Sequence, residues 1–120
     1  MKTLDHLAMD EIWGDLMVKR PEIYWLMKRQ AELLLQKGHD YSGTEDSYAN
    51  LRSSSALGIS PWRGVLLRMS DKFSRLCNFS CQGILKVKDE SVEDTLLDLA
   101  NYSLLCLVLF KEGQKEGGGS

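Results

Sequence analysis

The stretch Asp89–Phe110, DESVEDTLLDLANYSLLCLVLF, contains neither proline nor glycine. Its apolar residues occupy most helical directions, so the spacing predicts a long helix buried almost all round. At about 100° per residue, Glu90, Asp94, Asp98 and Asn101 fall within roughly 80° of one another and form one polar line down that helix. Carboxylates on an inward line need partners, because an unpaired buried charge is strongly destabilising. A divalent cation, or arginines and lysines from a neighbouring helix, would supply them.

The chain holds such a neighbour. Residues Pro61–Phe79, PWRGVLLRMSDKFSRLCNF, read as a second amphipathic helix, with Ser60 as N-cap and Pro61 at the first helical position, where its missing N–H costs nothing. Arg68, Asp71, Lys72 and Arg75 share one side of it, and Leu66, Met69, Phe73 and Leu76 lie on the other. A basic stripe carrying one acid, facing an acidic stripe, suits an anionic ligand held through metal. The carboxylates would bind the cation, and the basic side chains would bind phosphate oxygens.

Working outward, four helical stretches and no strand are predicted, an all-α fold. A first helix over about Leu4–Lys19 offers Leu7, Ile12, Leu16 and Met17 to a core. Pro21 restarts the chain into a second helix that Gly38 is expected to end near Lys37. This helix carries Ile23, Leu26, Met27, Leu33 and Leu34, with Tyr24 and Trp25 broadening its apolar face. The polar stretch from Gly38 to Ser60 is long for a connection, and such loops are usually functional or disordered. Within and beside it, Lys37, Asp40, Tyr41, Tyr48 and Asn50 are candidate ligand contacts: Asp40 and Asn50 by hydrogen bonds to a base or sugar, the tyrosines by stacking.

Length and composition narrow the classes. The 120 residues make one domain, expected over residues 1–112, with a flexible tail over 113–120 whose last four residues read as an added linker. Hydrophobic content of 43% and charged content of 27% are those of a soluble globular protein. A formal charge of −2 gives no ground to expect bulk nucleic acid or an anionic membrane as partner, and neither is expected. Cys77, Cys81 and Cys106 leave one thiol over in any internal pairing and no export signal is evident, so a reducing cytoplasm is expected, with small core residues as the reading of the cysteines. No glycine-rich phosphate loop and no nucleophile–histidine set is visible, which disfavours nucleophilic catalysis.

Each feature also has a structural explanation. Ser91-x-x-Asp94 fits a capping box, and acids in a first turn suit the helix dipole, which would account for Glu90, Glu93 and Asp94. Asp98 and Asn101 lie further in, amid leucines, where the structural alternative is an ion pair to Arg68 or Arg75. For Arg68, Lys72 and Arg75 the alternative is a solvated helix face.

Read in order, Lys37-Gly-His-Asp40-Tyr41-Ser-Gly, Leu57-Gly-Ile59, Arg68-x2-Asp71-Lys72-x2-Arg75-Leu76 and Glu90-Ser91-x2-Asp94-Thr95-Leu96-x-Asp98-Leu99-Ala100-x-Tyr102 resemble the nucleotide modification associated domain 1 family, over about residues 30–110. That family is found in phages and bacteria and is similar to the all-α nucleotide pyrophosphatases of the MazG and dimeric dUTPase type. The resemblance implies a four-helix, MazG-like bundle completed by homo-oligomerisation, with a magnesium-dependent cleavage of nucleoside triphosphates to monophosphate and pyrophosphate. It implies catalytic roles for Asp71, Asp94 and Asp98 and magnesium ligation by Glu90, Asp94 and Asp98. Ligand contacts would come from Lys37, Asp40, Tyr41, Asn50, Arg68, Lys72, Arg75 and Asn101. The chain departs from the pyrophosphatase pattern around Asp71, where Ser74 stands in place of the second acid of Glu-x-x-Glu. A protein that sequesters a nucleotide or signalling nucleotide without cleaving it, in the cytoplasm of a bacterium or of a phage's host, is therefore the competing expectation. A helical interaction protein whose stripes are internal ion pairs is the third.

Overall fold

The computed structural model describes residues 8–42, 50–83 and 91–115, and within them the chain is helical with no strand. Among the described residues there are four α-helices, α1 Met9–Lys19, α2 Pro21–Ser42, α3 Pro61–Gln82 and α4 Val92–Lys115, with a 3-10 helix, Asn50–Leu57, between α2 and α3. The all-α expectation holds. The chain divides into two compact units, residues 1–33 and residues 34–120, with the boundary inside α2.

In the first unit a single residue, Arg20, separates α1 from α2. Its N–H donates to the Leu16 carbonyl at 2.7 Å and closes α1. Pro21 cannot donate a helical hydrogen bond and disfavours helical geometry in the residue before it, so the helix breaks there and restarts. Trp13 meets Tyr24 edge to face at 6.3 Å, and Tyr24 meets Trp25 at 5.1 Å. Burial falls short of expectation: no residue of α1 is buried, Met17, Ile23, Leu26 and Met27 are exposed, and Ile12 and Leu16 are half-buried. A unit of 33 residues has too little chain to bury a core of its own. Leu7 lies outside the described residues.

The second unit is built on α3 against α4. Leu51, Val65, Tyr102, Leu105 and Leu109 form its buried core, with Leu34, Trp62, Met69 and Cys106 packed around it. Trp62 of α3 and Phe110 of α4 meet edge to face, with centroids 5.4 Å apart. The 3-10 helix is fastened to both helices of this pair, where the start of α3 meets the end of α4. Gly64 brings it so close that an added Cβ would stand 2.7 Å from Ser54 Oγ, and Arg52 grips both carboxylate oxygens of Glu112 at 2.8 and 3.1 Å.

Helix ends follow local chemistry, with three shifts from expectation. Gly38 does not stop α2, which continues to Ser42, because one glycine costs only about 1 kcal/mol in a helix already nucleated. α3 runs past Phe79 to Gln82 and stops at Gly83, whose φ of 73° is the left-handed cap conformation and whose N–H donates to the Phe79 carbonyl. α4 starts at Val92 with Ser91 Oγ accepting from the Asp94 N–H at 3.0 Å. At its other end α4 reaches Lys115, so Gly113–Lys115, expected in the tail, are helical where Arg52 holds Glu112. Ser60 and Pro61 occupy the expected N-cap and first helical positions of α3, although the Ser60 side chain caps no helix N–H.

Two faces are rotated from the sequence reading. α4 is not buried all round, since Leu96, Leu104 and Leu107 stand on an exposed side. α3 does not turn its whole apolar side inward: Phe73 is 62% exposed and Leu66 is exposed, while Val65, fully buried, and half-buried Met69, Lys72 and Leu76 line the adjoining flank. Cys77 and Cys81, expected in the core, are exposed on the same outward side as Phe73, and all three cysteines are free thiols. Among the described residues no helix is long and apolar enough to cross a membrane.

Candidate functional site

The seam between α3 and α4 carries the polar residues singled out in the sequence. On α4 the inward face holds Thr95, Asp98, Asn101 and Tyr102, all buried, with Asp98 5% and Asn101 2% exposed. This confirms the inward line for its inner members. The buried carboxylate finds its partner on α3, where Lys72 Nζ lies 3.1 Å from Asp98 Oδ2. The sequence reading expected Arg68 or Arg75 as the structural partner; the pair seen here is made by Lys72. Its four-carbon stem can lie along the apolar flank of α3 while the ammonium meets the carboxylate.

The basic stripe is therefore divided. Lys72 turns into the seam, Arg75 is half-buried, and Arg68 and Asp71 are exposed. Arg75 Nη2 sits 2.9 Å from Asp71 Oδ2 one turn earlier, an ion pair along α3 itself. On α4, Asp94 is half-buried and its N–H is capped by Ser91, so the capping explanation holds for that backbone group. Asn101 Oδ1 accepts no hydrogen bond, although the residue is engaged elsewhere.

Other expected contacts fall at the edge of what the structure describes. Lys37, Asp40 and Tyr41 are on the last turns of α2 and Asn50 on the first of the 3-10 helix; their side chains lie outside the described residues, as do Glu90 and Tyr48 entirely. A shallow recess of about 200 Å³ in the first unit is lined by Trp13, Tyr24, Met27, Lys28 and Ala31, none of them an expected site residue.

Sequence reasoning gave Thr95 and Tyr102 no role at the seam. Both sit within one turn of Asp98 on the same side of α4, and Thr95 is fully buried with its hydroxyl donating to the Ser91 carbonyl at 2.9 Å. The signal for both was their spacing of three and four residues from the carboxylate. It was masked because a Thr and a Tyr amid leucines read equally well as core.

Magnesium fits these residues in one way only. Asp94 and Asp98 stand one turn apart on one line of α4, which matches the one or two carboxylates that the ion takes beside phosphate oxygens and water. Asp98, however, is already held by Lys72. Among the described residues no group of three or more His, Cys, Asp or Glu side chains is placed to hold a metal ion.

No protein-family model matches the chain, and no curated protein or solved structure is significantly similar to it.

Proposed function

We propose that the α3–α4 seam binds a nucleotide or nucleotide-derived phosphate ligand. The observation that carries this reading is the buried pair Lys72–Asp98, flanked on α3 by Arg75 and Asp71 at 2.9 Å. Each of these two cations is held in position by a carboxylate. Preoriented cations at a seam are what phosphate oxygens need, and Arg75 supplies the planar fork that binds them in pairs. Arg68, exposed on the same helix, adds a third. Lys37, Asp40, Tyr41 and Asn50 are proposed to meet the base and sugar, and Asn101 the ligand's polar edge.

The leading activity is magnesium-dependent pyrophosphohydrolysis. Water adds across the linkage between the α- and β-phosphates of a nucleoside triphosphate, releasing monophosphate and pyrophosphate. Asp94 and Asp98, with Glu90, would contact the ion and Asp71 would complete the acidic set. Bound magnesium would offset phosphate charge and acidify a water. The resemblance to the nucleotide modification associated domain 1 family supports this reading, together with a cytoplasmic setting, phage or bacterial, and assembly as a homo-oligomer.

A second reading is favoured by one specific contact. Lys72 occupies the carboxylate expected to hold the metal, and a seam that neutralises phosphates with lysine and arginine can sequester a nucleotide intact. The two are separated by incubating the protein with a nucleotide panel, with magnesium or with EDTA, and following bound ligand and products by mass spectrometry. Products that vanish with EDTA establish the hydrolase; an intact ligand retained in EDTA establishes the sequestering protein. If neither ligand nor product is found, the seam is an internal ion-pair network and the proposal fails.

A further inference from the structure

The outward side of α4 is as patterned as its inward side. Leu96, Leu104 and Leu107 are each about half exposed there, and with Ala100 and Ser103 they fall within roughly 100° of helical arc. Positions 96, 100, 103 and 107 follow the alternation of four and three residues by which two helices interlock. Ala100 and Ser103 at the middle allow close approach. Ser103 brings no unmet polar group to a covered surface, because its hydroxyl already donates to the Leu99 carbonyl at 2.9 Å.

The charges at the two ends of this stripe identify what covers it. Glu93 and Lys111 are both exposed, and among the described residues neither takes part in an ion pair. They are separated by five full helical turns of about 3.6 residues, so they stand on one line, bracketing the apolar stripe. Against a parallel copy of the same helix, Glu93 would meet Glu93 and Lys111 would meet Lys111. Against an antiparallel copy, with a two-fold axis level with Tyr102, Glu93 meets Lys111 of the other copy at both ends. The same register sets Leu96 opposite Val108 and Ala100 opposite Leu104, small against large. Like charges placed opposite one another oppose association, and this register removes them while opposing the two helix dipoles.

We infer that α4 is the self-association face of this chain, pairing with α4 of a second copy in antiparallel orientation through Leu96, Ala100, Ser103, Leu104 and Leu107, with Glu93–Lys111 ion pairs at both ends. The interface is isologous, as a two-fold dimer requires. It gives the homo-oligomer proposed above a specific face, and it stands whether or not the seam binds a nucleotide.

Charge reversal tests it with the full chain, by sedimentation equilibrium at micromolar concentration. Glu93→Lys and Lys111→Glu each place like charges opposite one another twice per dimer and are expected to weaken self-association about tenfold. The double variant restores the pairs and the parent affinity, and an equimolar mixture of the two single variants forms heterodimers tighter than either homodimer. Leu104→Glu, at an exposed position, yields a folded monomer by circular dichroism. A monomeric parent overturns homo-oligomerisation itself; an oligomeric parent indifferent to both charge reversals and to Leu104→Glu overturns the α4 face alone.

Discussion

Lys72 Nζ on α3 and Asp98 Oδ2 on α4 stand 3.1 Å apart inside the helix seam, and this pair is both a structural joint and the centre of the proposed ligand site. Removing one member strands a buried charge. Asp98→Asn and Lys72→Met are each expected to destabilise the fold by about 3–5 kcal/mol, whereas Lys72→Met with Asp98→Leu should recover most of that loss. Urea denaturation of the four proteins closes the double-mutant cycle. The double variant, folded but without the ion pair, should have lost triphosphate binding. Binding at parent strength would remove both residues from the site.

At the phosphate level, Arg75→Ala should weaken a nucleoside triphosphate by about tenfold or more, the worth of a charge-assisted contact, and the matching nucleoside hardly at all. Titration calorimetry with both ligands decides this. Equal weakening of the two would mean that Arg75 organises Asp71 and α3 but does not read phosphate.

The thiols should separate by burial. Burial pushes the Cys106 thiol up from its ordinary value of 9.0, and its Sγ contacts the Trp62 carbonyl at 3.4 Å. Because the thiolate is the nucleophile, Cys106 should alkylate much more slowly than the exposed Cys77 and Cys81 at pH 8. Timed iodoacetamide labelling read by peptide mass spectrometry checks the order. Denaturant should bring the three rates together.

Gly64→Ala sets two effects against each other. Alanine gains about 1 kcal/mol in helix propensity, but its Cβ would press on Ser54 Oγ at 2.7 Å and on Ser54 Cβ at 3.0 Å. Moving Ser54 also breaks its hydrogen bond to the Ile59 carbonyl at 3.1 Å. Strain of about 1–3 kcal/mol and a lost bond of about 1 kcal/mol outweigh the propensity gain of similar size to the bond, so a net loss of about 1–3 kcal/mol is expected. Adding Ser54→Gly should relieve the clash, a reversal visible in the thermal midpoint.

The joint between Arg52 and Glu112 should matter locally more than globally. Both side chains are about one-third exposed, so Glu112→Gln should cost only about 0.5–1 kcal/mol overall. Hydrogen exchange should show faster opening of the last turn of α4 and of Asn50–Leu57, with the Val65–Leu105 region unchanged. Uniform acceleration across α3 and α4 would show that the pair supports the whole unit.

Helix existence and much of helix extent were legible from residues alone. Pro21 and Pro61 mark helix starts through a missing N–H, Ser91 caps α4 with its own hydroxyl, and the polar line through Asp98 and Asn101 proved to face inward. These depend on bonds within a few residues, which a linear pattern records. Gly38 was misread because its penalty is small beside the continuation of an existing helix. What only the tertiary structure decided was the rotation of each helix about its axis. Periodicity groups Arg68, Asp71, Lys72 and Arg75 on one side of α3, yet it cannot say where along that arc the neighbour sits. The burial of Asp98 and the packing of Val65 and Met69 against α4 turned Lys72 inward and left Phe73 and Cys77 outside. That outcome is set by contacts more than twenty residues apart in sequence, where the balance of desolvation and pairing is struck between helices rather than within one.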